Sequence, residues 1–200
     1  DQEIFTLDEL IAIFSFDKVQ RSSAVFDETK LAWVNREHML KLSEESFWER
    51  AEEFLSEETV SMLDATNRWR DVISVMRERA STFGDIRDAD AAGEYRYFYE
   101  APLLREVKLG WKEEPKEATK ARLEAILGLL EGVSDEWSKE SVKGALWPYA
   151  ESEGRGEVLW PMRVSLSGRE KSPDPFVIAG IIGKDETITR LKGAVATLSE

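Results

Sequence analysis

The apolar positions of this chain recur at helical spacing almost from end to end. Leu7, Leu10, Ile11 and Phe14 fall on one face, and Thr6 with Glu9 forms a T-x-x-E capping box in which each side chain can satisfy the other residue's free backbone amide. A short amphipathic helix is expected there. Asp27 is placed to cap a second helix carrying Lys30, Leu31, Val34 and His38, with Trp33 beside the apolar stripe. Ser43 can cap a third, in which Phe47, Ala51 and Phe54 are spaced for burial. From about residue 59 to residue 80 the pattern predicts one longer helix, with Trp69, Val72, Ile73 and Met76 as its stripe and Arg70 and Arg77 off it. Between residues 83 and 102 the periodicity weakens. Tyr95, Tyr97, Phe98 and Tyr99 crowd together ahead of Pro102, which marks a boundary or hinge.

The second half keeps the helical style without repeating the sequence. Leu123, Ile126, Leu127 and Leu130 form another stripe, and Ser134 and Ser138 can cap the next helix. Pro148 breaks or starts a helix, and Gly154 and Gly156 mark a turn. The run over residues 174–182 reads as a helix closed by Gly183, and Asp185 can cap a last helix bearing Ile188, Leu191 and Val195. Only residues 164–166 hint at extended structure. Strand and helix units do not alternate anywhere, so the expected fold class is all-α.

Composition narrows the chemistry. At 200 residues and 42% hydrophobic, the chain can bury one sizeable core or two small ones. It has no cysteine and a single histidine, His38, which excludes a disulfide framework, thiolate metal sites and imidazole-rich zinc sites. No apolar run approaches the roughly 18 residues needed to span a bilayer, and no signal-peptide pattern opens the chain, so a cytoplasmic location is expected. A start at Asp1 in place of methionine fits a fragment of a longer protein. GIIGKDET lacks the spacing of a Walker A motif, GRG alone is too short for a phosphate cradle, and His38 has no nucleophile pattern near it. Carboxylate pairs are too plentiful to single out a magnesium site.

The 40 acidic and 27 basic residues give a net charge of −13, the wrong sign for the basic footprint that nucleic-acid binders use. The acidic residues concentrate over residues 44–58 and 85–94, while basic ones gather in VMRERA and MRVSLSGREK. Any nucleic-acid binding by the isolated chain should therefore be weak and steeply salt dependent.

Two stretches are too densely specified for packing alone. GRGEVLWPMRVSLSGREKSPDPF, residues 154–176, resembles the C-terminal signature of bacterial glutamyl-tRNA synthetases. AVFDETKLAWVN, residues 24–35, resembles the segment that follows the catalytic domain in the same enzymes and in the same order. The resemblance covers essentially the whole chain, with the acidic middle matched loosely. The family's HIGH-like and KMSKS-like motifs, which belong to a preceding Rossmann domain, are absent. The resemblance implies a stem-contact fold over residues 1–42 and two helical anticodon-binding modules, residues 43–100 and 101–200, that cage the anticodon. It implies tRNA(Glu) as partner, leaves tRNA(Gln) open, and implies a monomer with no DNA or membrane partner. No cofactor is expected in this chain; ATP, glutamate and magnesium (Mg) belong to the absent catalytic domain.

The resemblance also picks out residues. Lys30 and Asn35 become candidate contacts to the inner corner of the tRNA, with Trp33 as core, and a solvated lysine is an equal alternative for Lys30. VMRERA resembles the family's M-R-x-R pattern, whose second arginine, here Arg79, matches the residue that in glutamate-specific enzymes reads the third anticodon base and rejects glutamine tRNA. The residue type suits that role, because a guanidinium offers a rigid fork of donors to cytosine's acceptor edge, whereas guanine presents an opposing donor. The alternative is that Arg79 pairs with Glu78 or Asp85 on a helix surface. Arg77 is expected as a phosphate contact or a surface ion pair.

Arg163 matches the arginine of P-L-R-x-A-L-T/S-G, with Met162 and Ser165 as mild departures. Ser172, Pro173 and Phe176 match an S-P-x-x-F segment that lies against the anticodon loop, where aromatic and proline faces can stack on splayed bases; Phe176 has a competing role in the core. Trp147 and Trp160 are expected to be structural. A second hypothesis is a helical protein-interaction module of synthetase ancestry with no RNA role. A self-contained enzyme has no motif behind it.

Overall fold

A computed structural model of the chain describes residues 2–19, 25–105, 107–133 and 136–199. Among these residues there are eleven α-helices, two short 3-10 turns and no strand. The all-α expectation holds.

Helix α1 (Leu7–Ile13) starts at the expected capping box: the Glu9 amide donates to Thr6 Oγ1 at 3.2 Å, and the Thr6 amide donates to Glu9 Oε2 at 2.7 Å. Its apolar face forms but stays uncovered, since none of its residues is buried and Leu7, Ile11 and Phe14 are exposed. Asp27 caps helix α2 (Glu28–Leu40) by accepting from the Thr29 and Lys30 amides. Trp33, expected in a core, is exposed, and Met39 is the one buried residue of α2. The reason is geometric: α2 is fastened to the chain beyond α5 through Asn35 and Arg36 and buries Met39 near its end, while its first turns stay exposed.

A first cluster comes next, made of α3 (Glu44–Glu52), α4 (Glu57–Ala65), α5 (Trp69–Arg79) and α6 (Phe83–Ala91), in which α5 packs on α3 and α4 and α3 packs on α6. Ser43 caps α3, and Phe47, Leu63, Val72, Met76 and Ile86 fill the space between the helices. The single helix expected over residues 59–80 is in fact the pair α4 and α5. Asn67 breaks it at φ 51°, and the Arg68 amide reaches back to the Leu63 carbonyl at 3.0 Å, closing α4 in a left-handed C-terminal turn. The apolar stripe hides this break because it resumes almost in phase.

Helices α7 (Lys116–Glu131), α8 (Lys139–Glu153), α9 (Arg155–Ser167), α10 (Pro175–Ile182) and α11 (Lys184–Thr197) form the second cluster, with α9 touching the other four. The stripe on α7 is buried as expected, and Ser138 caps α8 through a capping box with Ser141. The proposed Ser134 cap lies outside the described residues. Residues 164–166, expected to be extended, lie in α9. That helix is enclosed on all sides, so Val164, Ser165, Leu166 and Ser167 are all buried and the 3.6-residue period vanishes from its sequence. Its buried hydroxyls are satisfied within the helix: Ser165 donates to the Pro161 carbonyl at 2.6 Å and Ser167 to that of Arg163 at 2.8 Å.

Pro148 and Pro161 both sit inside helices. Gly154, at φ 103°, makes the turn between α8 and α9, but Gly156 belongs to α9. It is glycine there because a Cβ would lie 2.7 Å from Trp111 Nε1. Asp174 caps α10 by accepting from the Phe176 amide, and Gly183 closes it. Gly183 also precedes α11, so Asp185 sits in the first turn of α11 rather than at its cap.

Two arginines join the clusters. The aromatic crowd of residues 95–99 is packed, with Tyr95, Tyr97 and Phe98 buried and a 3-10 turn (Arg96–Phe98) that touches α9 and α10. Arg190 on α11, 4% exposed, donates Nη1 to the carbonyls of Tyr97 and Leu166, each at 2.7 Å. Arg68 donates to the carbonyl of Phe98 at 2.5 Å and to that of Ile182 at 2.9 Å. The segment is a packed connector between the two clusters.

Candidate nucleic-acid interface

Arg79 is the last residue of α5, and its guanidinium stands at the mouth of an open pocket of about 360 Å³ lined also by Asp85, Asp88, Glu94 and Tyr95. Neither expected partner holds it. Its Nη2 donates to Glu94 Oε2 at 2.9 Å, with the two side chains 38% and 30% exposed. Asp85 is occupied elsewhere, accepting from the Ser81 and Thr82 amides at 2.7 and 2.8 Å as the third residue of α6 and the partner of Thr82 in its capping box. Burial alone would raise the Asp85 pKa, but these hydrogen bonds outweigh it and hold the carboxyl below its ordinary range. Burial and the Glu94 charge push the Tyr95 hydroxyl well above the usual tyrosine value, while the Arg79 charge opposes the rise, so this wall of the pocket is a neutral phenol.

Arg77 does not face the same way. Its Nη2 donates to the carbonyls of Leu42 and Ser43, each at 2.8 Å, and its guanidinium lies 4.8 Å from the centroid of the Phe47 ring. The expected phosphate contact or surface ion pair is thus replaced by a tie between α5 and the end of α2. Successive residues on a helix turn by about 100°, so Arg77 and Arg79 point roughly 200° apart.

Asn35 donates to the Ser81 carbonyl at 2.5 Å and Arg36 to that of Ala80 at 2.9 Å, fastening α2 to the two residues directly after Arg79. Asn35 therefore positions the Arg79 end of α5 rather than standing free. Lys30 is exposed and 3.6 Å from exposed Glu3, a loose pair that leaves its ammonium accessible.

In the second cluster, half-buried Arg163 donates to the Ser172 carbonyl at 3.3 Å, so α9 and the loop before α10 bring Arg163, Ser172 and Pro173 together. Phe176 is corrected: it is 1% exposed, edge-on to Trp147 at 6.4 Å, and offers no face to a base. Phe176 is the second residue of α10 and lies on its buried side with Ile178, Ala179 and Ile182. Trp160 packs on Trp111 at 5.0 Å and donates to the Lys108 carbonyl, a structural role as expected.

The sequence did not reveal Glu94, Arg36 or Arg169. Arg169 donates to the Ala92 carbonyl and thereby pins the 167–169 turn against the turn that carries Glu94. A second pocket, of about 490 Å³, lies there between Arg96 and Arg169. Arg169 lies inside one recognisable stretch and Arg36 directly after the other, whereas the pairing of Glu94 with a residue 15 positions away has no local signal. Among the described residues, no group of three or more His, Cys, Asp or Glu side chains could hold a metal ion, and no helix is long and apolar enough to cross a membrane.

The fold is thus all-α, with two helical clusters and an arginine at a pocket of the first, and its class comes from the comparisons. The family described as the anticodon binding domain matches residues 46–195, and the chain belongs to that family. It is 36% identical over 203 residues to a glutamate–tRNA ligase of Anaeromyxobacter sp. (strain Fw109-5), covering 98% of this chain and 40% of that protein. It is 31% identical over 206 residues to the glutamate–tRNA ligase of Flavobacterium johnsoniae, covering 99% and 38%. A solved glutamate tRNA ligase from Elizabethkingia meningosepticum superposes with a TM-score of 0.71 at 28% identity, covering 98% of this chain and 38% of that one. The chain thus spans about two fifths of the length of these relatives.

Proposed function

We propose that this chain reads the anticodon of tRNA(Glu) as part of a glutamate–tRNA ligase, with Arg79 as the residue that reads the third anticodon base. The observation that carries this is the guanidinium of Arg79, half-exposed at an open pocket within the matched anticodon-binding family segment. Donors that Glu94 leaves free can reach the N3 and O2 acceptors of cytosine, and the N1–H of guanine opposes them. Lys30, Arg163, Ser172 and Pro173 are the further contacts in this scheme, and ATP, glutamate and magnesium are handled by the remainder of such a ligase. The division at residues 42 and 100 into a stem-contact part and two modules belongs to the same proposal, as does action as a monomer.

The test is a low-salt binding titration against tRNA(Glu) transcripts carrying cytosine or guanine at the third anticodon position, repeated with Arg79→Gln. The unsubstituted chain should prefer cytosine by roughly ten- to a hundredfold, the range of a good bidentate base contact, and Arg79→Gln should abolish the preference. Equal binding of both transcripts by the unsubstituted chain would point to a parent that also accepts tRNA(Gln). No binding to either would favour a helical protein-interaction module.

A further inference from the structure

We infer that Glu94 is a specificity-determining residue, because it positions the Arg79 guanidinium for a base edge; this deepens the proposed anticodon reading and rests on it. Three carboxylates line the Arg79 pocket, and only one serves the arginine. Asp85 is bound to the Ser81 and Thr82 amides, and Asp88 accepts from Arg87 at 2.9 Å, whereas Glu94 Oε2 takes Arg79 Nη2 at 2.9 Å.

The backbone that carries this carboxylate is held from behind. The Glu94 amide donates to the Ala89 carbonyl at 2.9 Å, Gly93 turns the chain at φ 69°, and Arg169 holds the Ala92 carbonyl. Glu94 therefore stands on a braced turn, 2.9 Å from Arg79.

For Arg79 this has two effects. An arginine side chain loses much rotamer freedom when a ligand fixes it; Glu94 fixes it beforehand, so binding no longer bears that cost. The pair is also locally neutral. A bare guanidinium beside an RNA loop is drawn to phosphates, which carry no sequence information, while a guanidinium already facing a carboxylate keeps its remaining donors for an uncharged base edge.

The same pair of transcripts tests this, read as the ratio of cytosine to guanine affinities, with unfolding midpoints recorded in parallel. Glu94→Ala should lower the ratio roughly two- to tenfold with an unchanged midpoint. Glu94→Gln, which keeps an acceptor for Arg79, should recover part of it. Asp88→Ala removes an equal charge from the same pocket without touching Arg79, and it should leave the ratio intact. A ratio unchanged in Glu94→Ala while Arg79→Gln abolishes it would overturn the role of Glu94 and leave the anticodon reading standing. Equal losses in Glu94→Ala and Asp88→Ala would overturn it in favour of bulk charge. A wild-type ratio of one would overturn both.

Discussion

Asp85 closes the α5–α6 corner by accepting from two amides immediately after Arg79. Replacing it with alanine should lower stability by about 1 kcal/mol at neutral pH, the usual worth of a helix cap. Because its folded-state pKa lies below the ordinary value of 3.8, this contribution is complete above that value and disappears as pH falls through the lower folded-state value. Urea unfolding should therefore show a wild-type to Asp85→Ala gap at pH 7 that closes in acid. A gap of the same size at both pH values would mean that Asp85 does not act through its charge. At this scale the sequence was partly legible. The caps at Thr6, Asp27, Ser43 and Ser138 were plain because an N-cap is a local event within three residues. Arg77 and Phe176 were not, because which way each side chain points is decided by neighbours far along the chain.

Asn67 carries the break that turns one apparent helix into two. At φ 51° a residue with a Cβ and no compensating polar side chain is disfavoured by roughly 1–2 kcal/mol. Asn67→Ala should accordingly destabilise the chain by about 1 kcal/mol and Asn67→Gly should be close to neutral in denaturant unfolding; the reverse order would show that α4 and α5 gain nothing from the left-handed turn. The helices whose apolar stripe faces a single neighbouring layer, such as α7, could be read from their period. Helix α9 could not, since enclosure by four neighbours makes nearly every position apolar or small and leaves no face to contrast with. Helix α1 failed in the opposite sense: its stripe is there, but nothing among the described residues covers it.

For the molecule as a whole, the links that matter run through two guanidiniums, Arg190 buried and Arg68 half-buried. Removing Arg190 would strand the carbonyls of Tyr97 and Leu166 and the Glu186 carboxylate, which its Nε engages at 2.7 Å. Arg190→Met should cost about 2–4 kcal/mol, and unfolding followed by tryptophan fluorescence should change from one transition to two as the clusters lose their joint. A single transition at the wild-type midpoint would mean that the apolar contacts of the connector suffice. The joint was not visible in the sequence, where Arg68 and Arg190 look like ordinary members of charged helices; the carbonyls they hold lie between 24 and 114 residues away. The carbonyls of Tyr97, Phe98 and Ile182, three in all, are held across the joint, which ties the cluster of the Arg79 pocket to the cluster of the 167–173 loop. Under the proposed function the two would act together, as the two sides of a gauge. If the proposed anticodon reading holds, an RNA loop one nucleotide too long or too short would meet one of the two and miss the other, and size would be screened together with spelling.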